Sequence, residues 1–125
     1  MSASSWQPQR GEVVLVRFPF INLGGQVQVK PRPAVVISGQ AIHTQAADVL
    51  IAAISSRPAS RPLGTDYAIA ENTPEARAAG LKTASWVKIS NLATVPKTAV
   101  ARRIGKLTPT GLEEVESRLR LAIDL

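Results

Sequence analysis

The segment RPAVVIS at residues 32–38 has the clearest strand pattern in this 125-residue chain. Four apolar residues follow Pro33 without interruption, and three of them are β-branched. Such a run is typical of a short strand that is buried on both faces. The prolines at positions 31 and 33 fix the backbone on either side of Arg32. The pattern therefore predicts a buried strand over residues 33–38, with Arg32 mounted rigidly at its entry.

Further strands are predicted on both sides of this run. A second β-branched run covers residues 49–55. Weaker or alternating patterns predict strands over residues 12–18, 67–70, 85–89 and 100–107. Residues 19–30 and 57–64 are predicted loops, and His43 is expected to be a solvated residue of a polar loop. Residues 73–79 are predicted to form a turn or a single helical turn.

One segment near the end of the chain has the pattern of a helix. Apolar residues recur there at helical spacing, at positions 112, 115, 119, 122 and 123. Thr110 and Glu113 match a Thr-x-x-Glu capping box, and Pro109 suits the first turn after Thr108. Several short strands followed by one terminal helix predict a mainly β fold, a small and partly open barrel, with a C-terminal α-helix.

The length and the composition predict one domain inside the cell. We expect a flexible N-terminus over residues 1–9 and a single domain over residues 10–125. The absence of cysteine excludes a disulfide scaffold, a cysteine nucleophile and the usual structural zinc sites, and it suits a reducing cytoplasm. The longest apolar run, residues 49–54, is too short to cross a bilayer, so we expect no membrane partner.

The charge is positive and unevenly distributed. The chain has a net charge of +6, but residues 113–125 hold four acidic and two basic side chains, a net of −2, so the rest holds +8. A basic body favours an anionic partner such as nucleic acid. The alternative is that the charge only confers solubility.

The residue types that are scarce restrict the chemistry. A single histidine cannot supply a two-histidine acid–base pair, no His, Asp and Glu cluster has metal-ligand spacing, and no Gly-rich phosphate loop is present. We therefore expect no metal and no cofactor. Arg, Ser and Thr suit RNA cleavage, because the 2′-hydroxyl of RNA is its own nucleophile and a guanidinium matches the phosphate oxygens that gain charge.

Two segments offer that chemistry. Arg32 is a candidate phosphate clamp, although it could instead cap its strand by binding loop carbonyls. Ser55 and Ser56, followed by Arg57, end the second buried run, although serine often satisfies strand-end backbone groups. Further cations suit contacts with the phosphate backbone, namely Lys30, Arg61 and Lys88.

These segments belong to a series of motifs that resembles a known family. The motifs are RGEVVLV at 10–16, RPAVVIS at 32–38, VLIAAISS at 49–56, Gly80-Leu81 with SWV at 85–87, and IGKLT at 104–108. Their order and spacing, over about residues 11–119, resemble the MazF/PemK family of bacterial toxins.

The resemblance implies an SH3-like barrel of the CcdB/MazF/PemK type that forms a homodimer. It also implies a type II toxin that cleaves single-stranded RNA without metal, leaves a cyclic phosphate, and is neutralised by a cognate antitoxin with a flexible acidic segment. Arg32 and Ser55 match the family's catalytic positions, the arginine as phosphate stabiliser or proton donor and the hydroxyl as its partner. Gly25 and Gln26 match a loop expected to contact RNA.

The sequence also departs from the family pattern and leaves alternatives open. Ser90 stands where some members have an aspartate, and Lys88 stands where some have an arginine. One alternative is a degenerate relative that binds nucleic acid without cutting it. Another is a protein-interaction poison like CcdB, against which the retained Arg32 and Ser55 argue.

Four further residues have two interpretations each. Trp86 suits the core or a dimer interface, or a platform on which a base stacks, and Trp6 stays undecided between stacking and no role. Arg102 and Arg103 alternate on one strand, so only one of them can face a ligand. The other interpretation is an ion pair with one of the glutamates at 113 and 114.

Overall fold

The computed structural model describes residues 6–21, 24–56 and 63–125. Its elements are β1 (Glu12–Ile21), β2 (Val27–Val36), α1 (Gln40–His43), β3 (Asp48–Ser55), β4 (Tyr67–Ile69), α2 (Pro74–Ala79), β5 (Ser85–Pro96), a 3₁₀ turn (Lys97–Ala99), β6 (Val100–Lys106) and α3 (Pro109–Ile123). The strands of the described part form one curled antiparallel sheet in the order β4-β5-β3-β2-β1-β6. The mainly β prediction with a C-terminal helix is confirmed.

Two apolar clusters lie on opposite faces of the central strands. Val13 and Val35 belong to a cluster that also takes in Val115 of α3. Val14 and Val36 belong to a second cluster that includes Trp6. Because successive residues of a strand point to opposite faces, a strand that is buried on both sides must be apolar at every position. This requirement explains the uninterrupted run at residues 34–37.

The strand that carries Arg32 is longer than the sequence pattern predicts. β1 and β2 form a hairpin that pairs from Val13 with Val35 through to Ile21 with Val27, so the predicted loop over residues 19–30 is wrong. Arg32 lies inside β2 and not at its entry. Proline lacks only the donor N–H, and the pairing with β1 continues past Pro31 and Pro33.

The start of the chain and the histidine are more buried than expected. Trp6 is 8% exposed and Pro8 is fully buried, so the flexible N-terminus predicted through residue 9 does not include them. His43 is 2% exposed, and its Nε2 lies 2.6 Å from Oγ of Ser38, so the predicted solvated loop residue is wrong. The short helix α1 turns His43 inward.

The cap of α3 also differs from the prediction. Thr108 is the N-cap, and its Oγ1 accepts a hydrogen bond from Gly111 N at 3.1 Å. The Thr110 and Glu113 capping box does not form. A carboxylate oxygen of Glu75, on α2, accepts from the backbone N of Thr108 at 3.2 Å and also from its hydroxyl. Because this contact joins α2 to α3, it fixes the N-cap two residues earlier than the local sequence pattern indicates.

Candidate active site

Arg32 and Ser55 lie on one face of the sheet and on neighbouring strands. Ala34 of β2 pairs with Ala53 of β3, and residues that pair directly in an antiparallel sheet share a face. Two residues further along both strands, the same register leads to Arg32 and Ser55. Side chains two residues apart on a strand also share a face. A guanidinium and a hydroxyl from different segments of the sequence are therefore neighbours.

A cleft of about 420 Å³ opens beside these two residues. Its lining residues come from β1, β2, β3 and the residue directly after it, the connection between α2 and β5, the first residue of β5, and β6. They are Leu15, Lys30, Arg32, Pro33, Ile54, Ser55, Ser56, Gly80, Leu81, Lys82, Thr83, Ser85 and Ile104. Of the site residues that the sequence predicts, Lys30, Arg32, Ser55 and Ser56 are brought together here. The cleft thus combines apolar walls with three cations and several hydroxyls.

The accessibility of these groups suits contact with a ligand. Arg32 and Ser55 are partly exposed, and Lys30 and Ser56 are exposed. The Nε atom of Arg32 is buried although the residue as a whole is not, so the base of the guanidinium is enclosed by protein. A planar fork held at its base can present its outer nitrogens to a phosphate with little loss of rotational freedom.

One wall of the cleft is fixed by close contact between two backbones. Gly80 ends α2 in the left-handed region at φ 73°, and a Cβ at this position would collide with the carbonyl oxygen of Ile104. A Cβ at Gly105 would likewise collide with the backbone of Ala78 and Ala79. The two glycines allow α2 to lie directly on β6. The connection from α2 to β5 therefore starts from a fixed point.

That connection supplies site residues that the sequence reasoning missed. Lys82 and Thr83 are exposed and line the cleft together with Arg32 and Ser55. Both residues directly follow Gly80-Leu81, which is one of the motifs that match the family pattern. The signal that would have found them is a lysine directly after a helix-ending glycine, in a chain with a basic surface.

Other predicted contacts lie elsewhere. Lys88 makes an ion pair, with its Nζ 2.7 Å from Oδ2 of the buried Asp66, and it does not line the cleft, so its contact with RNA stays a prediction. Gly25 and Gln26 are exposed in the β1–β2 connection, also outside the cleft. Arg57 and Arg61 lie outside the described residues.

The structure also gives the positions of the residues for which the sequence left two interpretations open. Arg103 pairs with Glu12, at 2.7 Å from Nε to Oε2, and not with the glutamates of α3, whereas Arg102 is exposed. Ser90 is exposed on β5. Trp6 belongs to the second apolar cluster and is therefore a core residue.

Two groups outside the cleft have shifted pKa values. Burial lowers the pKa of His43, and the positive charges of Lys97 and Arg10 act in the same direction. Burial, followed by the negative charge of Glu75, raises the pKa of Tyr67. Within residues 6–21, 24–56 and 63–125 no group of three or more His, Cys, Asp or Glu side chains could hold a metal ion.

Comparison with known proteins identifies relatives of this architecture. The model of a family described as PemK-like, MazF-like toxin of type II toxin–antitoxin system matches residues 9–123. No curated protein matches the chain. In the part of the chain that the structure describes, no helix has the length and apolar character needed to span a membrane.

Solved structures share the fold at low sequence identity. An endoribonuclease from Mycobacterial species has 21% identity and a TM-score of 0.68, with 96% of this chain and 94% of that chain covered. An endoribonuclease in complex with its cognate antitoxin, from Mycobacterial species, has 22% identity and a TM-score of 0.68, over 94% and 96%. MazE-MazF (Form-II) from Deinococcus radiodurans has 16% identity and a TM-score of 0.69, over 97% and 99%.

Proposed function

The chain belongs to the PemK-like, MazF-like toxin family of type II toxin–antitoxin systems, and from this premise we propose that it is an endoribonuclease that cuts single-stranded RNA. One observation carries the proposal. Arg32 and Ser55 stand on the same face of neighbouring strands, and both line one cleft with Lys30 and Ser56. Two solved structures with the same fold are endoribonucleases, which agrees with it.

The reaction uses the nucleophile of the substrate. The 2′-hydroxyl attacks the adjacent phosphorus, the bond from phosphorus to the 5′-oxygen breaks, and the products are a 2′,3′-cyclic phosphate and a 5′-hydroxyl. Solvent water takes up the proton of the 2′-hydroxyl as the bond forms, and the departing 5′-oxygen takes up a proton from solvent water. Arg32 stabilises the negative charge that grows on the non-bridging oxygens, and Ser55 donates a hydrogen bond to the same phosphate. Positioning and charge stabilisation supply the rate enhancement, so the scheme needs no bound metal.

The substrate is an unpaired strand because the site is an open cleft with cations along it. Lys30 and Lys82, which both line the cleft, suit the phosphates on either side of the one that reacts. Binding through such contacts weakens as salt rises, since each neutralised phosphate releases counterions.

The partners follow from the same charges. A cognate antitoxin with a flexible acidic segment would neutralise the cations of the cleft and occupy the path of the RNA. One related fold is an endoribonuclease in complex with its cognate antitoxin, which supports this part of the proposal. We also propose that the chain acts as a homodimer in the cytoplasm, as the resemblance implies.

A direct assay tests the proposal. Purified protein is incubated with a long RNA in excess EDTA, and the ends of the fragments are mapped. We expect cyclic phosphate and 5′-hydroxyl ends. Arg32→Ala and Ser55→Ala should both abolish cutting, whereas Arg77→Ala, an exposed position on α2 outside the cleft, should cut normally. Thermal unfolding of each variant shows whether it is folded, and an Arg32→Ala variant that is folded and cuts at the normal rate would refute the assignment.

A second outcome would identify a different function. Ser90 is exposed on β5 at the position where some family members have an aspartate, and this departure favours a relative that binds RNA without cutting it. Salt-dependent RNA binding with no fragments, from protein that is folded, would select that alternative.

A further inference from the structure

Trp86 occupies the strand position directly beside Ser55. The two residues form a pair in the register of β3 and β5, so their side chains share a face of the sheet. Arg32 shares that face through the register of β2 and β3. Three neighbouring strands thus present an indole, a hydroxyl and a guanidinium in one row across the sheet.

The indole is partly exposed. Among the described residues, Trp86 is in neither of the two apolar clusters, whose half-buried members include Tyr67 and Leu92. On the strand beyond it, the paired residue is Ala68, which is exposed and too small to cover a ring. A partly exposed aromatic side chain is therefore paired with Ser55, a residue of the proposed reaction centre.

We infer that Trp86 is a stacking platform for an unpaired base adjacent to the scissile phosphate, and this inference rests on the proposed function. Neighbouring strands are about 4.8 Å apart, so the row from Arg32 to Trp86 spans about 10 Å. A phosphate at Arg32 then leaves room for the attached nucleotide to place its base over the indole. Stacking uses the face of the base, which every nucleotide has, and a paired base inside a duplex does not expose that face to a side chain.

The charges along the row favour a nucleotide over an apolar protein surface. Arg32 lies two strands away, and Lys30 follows on the same face of β2. Lys88, on the same face of β5, is neutralised by Asp66. Arg32 and Lys30 thus place positive charge at one end of the row, where a phosphate belongs, and at the other end the charge of Lys88 is balanced by Asp66.

Binding of a probe with a missing base tests this arrangement. The probe is a short 2′-O-methyl RNA that contains the mapped cleavage site and cannot be cut, compared with copies that each carry one abasic nucleotide. For the natural protein, one abasic position beside the scissile phosphate should weaken binding by about 5- to 100-fold. In Trp86→Leu the intact probe should bind as weakly as that abasic probe, and the abasic change should then cost nothing more. Trp86→Phe should retain part of the effect.

Fluorescence gives a readout that a merely structural role would not change. Trp6→Phe leaves Trp86 as the single tryptophan, and stacking of a base should quench its emission when the probe binds. If Trp6→Phe does not fold, the difference in quenching between the natural protein and Trp86→Leu gives the same information.

Four results would overturn the inference or separate it from the proposed function. An unchanged abasic penalty in Trp86→Leu would refute base stacking. Dissociation of a dimer in Trp86→Leu, measured by sedimentation, with normal affinity per folded site, would assign Trp86 to a protein interface instead. If the natural protein cuts RNA, and Trp86→Leu cuts it with the same KM and at the same sites, base stacking by Trp86 is refuted while the proposed endoribonuclease function stands. If the natural protein cuts no RNA, the proposed function fails first.

Discussion

Lys88 and Asp66 form an ion pair at the base of β4, with Nζ 2.7 Å from Oδ2 and the carboxylate side chain fully buried. The same Oδ2 accepts a hydrogen bond from Leu63 N at 3.0 Å. Arg118 of α3 donates to the carbonyl oxygen of Asp66 at 2.6 Å. Asp66 therefore joins β5, α3 and the turn before β4, and Lys88 compensates its charge.

Lys88→Ala should destabilise the fold by about 3 kcal/mol, because it leaves a buried carboxylate without its cation. Lys88→Met combined with Asp66→Asn removes both charges and should recover most of that loss. Urea unfolding measures both. A loss for Lys88→Ala that is no larger than for an exposed lysine such as Lys106 would contradict the structural role of Lys88.

Local patterns in the sequence predicted the strands but not their ends. The β-branched run at residues 49–55 corresponds to β3, Asp48–Ser55. β2 begins six residues before the predicted start because its exposed half alternates polar and apolar residues and contains two prolines. In this half, pairing with β1 determines the conformation, and that pairing is not visible in a local window.

The candidate site was predictable only in its two main residues. Arg32 and Ser55 stand at the ends of apolar runs, and polar residues at strand ends are candidates for a functional site. Their proximity depends on the register of β2 and β3, and no local sequence pattern indicates that register. Lys82 reaches the cleft because Gly80 and Gly105 let α2 lie on β6. That contact is long-range, so no local pattern indicates it.

The stability of the fold should fall as the pH drops through the range where histidine gains a proton. His43 is the single histidine, and burial, with Lys97 and Arg10 nearby, lowers its pKa below the ordinary 6.5, against the opposing effects of Glu12 and the Pro8 carbonyl. The unfolded chain therefore binds the proton more readily than the folded one. The contribution of neutral His43 to the stability of the fold is complete above pH 6.5 and is lost progressively as the pH falls below 6.5. Unfolding free energies measured from about pH 8 to about pH 5 check this.

A matched variant isolates the effect of the histidine. His43→Gln keeps a polar group near Ser38 but does not titrate, so its stability should vary less over the same range. If the two proteins show the same pH dependence, carboxylates and not His43 cause it.

Gly80→Ala should weaken the contact between α2 and β6. Alanine at φ 73° is strained, and its Cβ would collide with the carbonyl oxygen of Ile104, so we expect a loss of more than about 1 kcal/mol. Gly64→Ala is the matched control, because a Cβ there meets nothing within 4 Å. Urea unfolding of the two variants measures the difference. Equal stability would mean that the close approach of the two backbones is not required.

Thr108→Ala should destabilise α3, whereas Thr110→Ala should not. Thr108 caps the helix through Gly111 N, and its hydroxyl also bonds Glu75, so the loss of this side chain should cost about 1 to 2 kcal/mol. Thr110 is exposed, and its side chain takes no part in the observed cap. Thermal unfolding measures the stability that each variant loses. A larger loss in Thr110→Ala than in Thr108→Ala would mean that the capping box predicted from the sequence does form.

Arg32→Lys should impair RNA cleavage although the substitution keeps the positive charge. A lysine ammonium is a single point charge, whereas the guanidinium presents two parallel donors to the phosphate oxygens that gain charge as the bond to the 2′-oxygen forms. We expect kcat to fall by about 100-fold or more, the size of effect seen when one preorganised donor is lost from a charge-stabilising site. KM should change less, because Lys30 and Lys82 still hold the flanking phosphates. Arg77→Lys, on the surface of α2 and outside the cleft, is the matched control and should cut normally. If Arg32→Lys retained the normal kcat, a simple positive charge would suffice, and the geometry of the guanidinium would have no part in the rate.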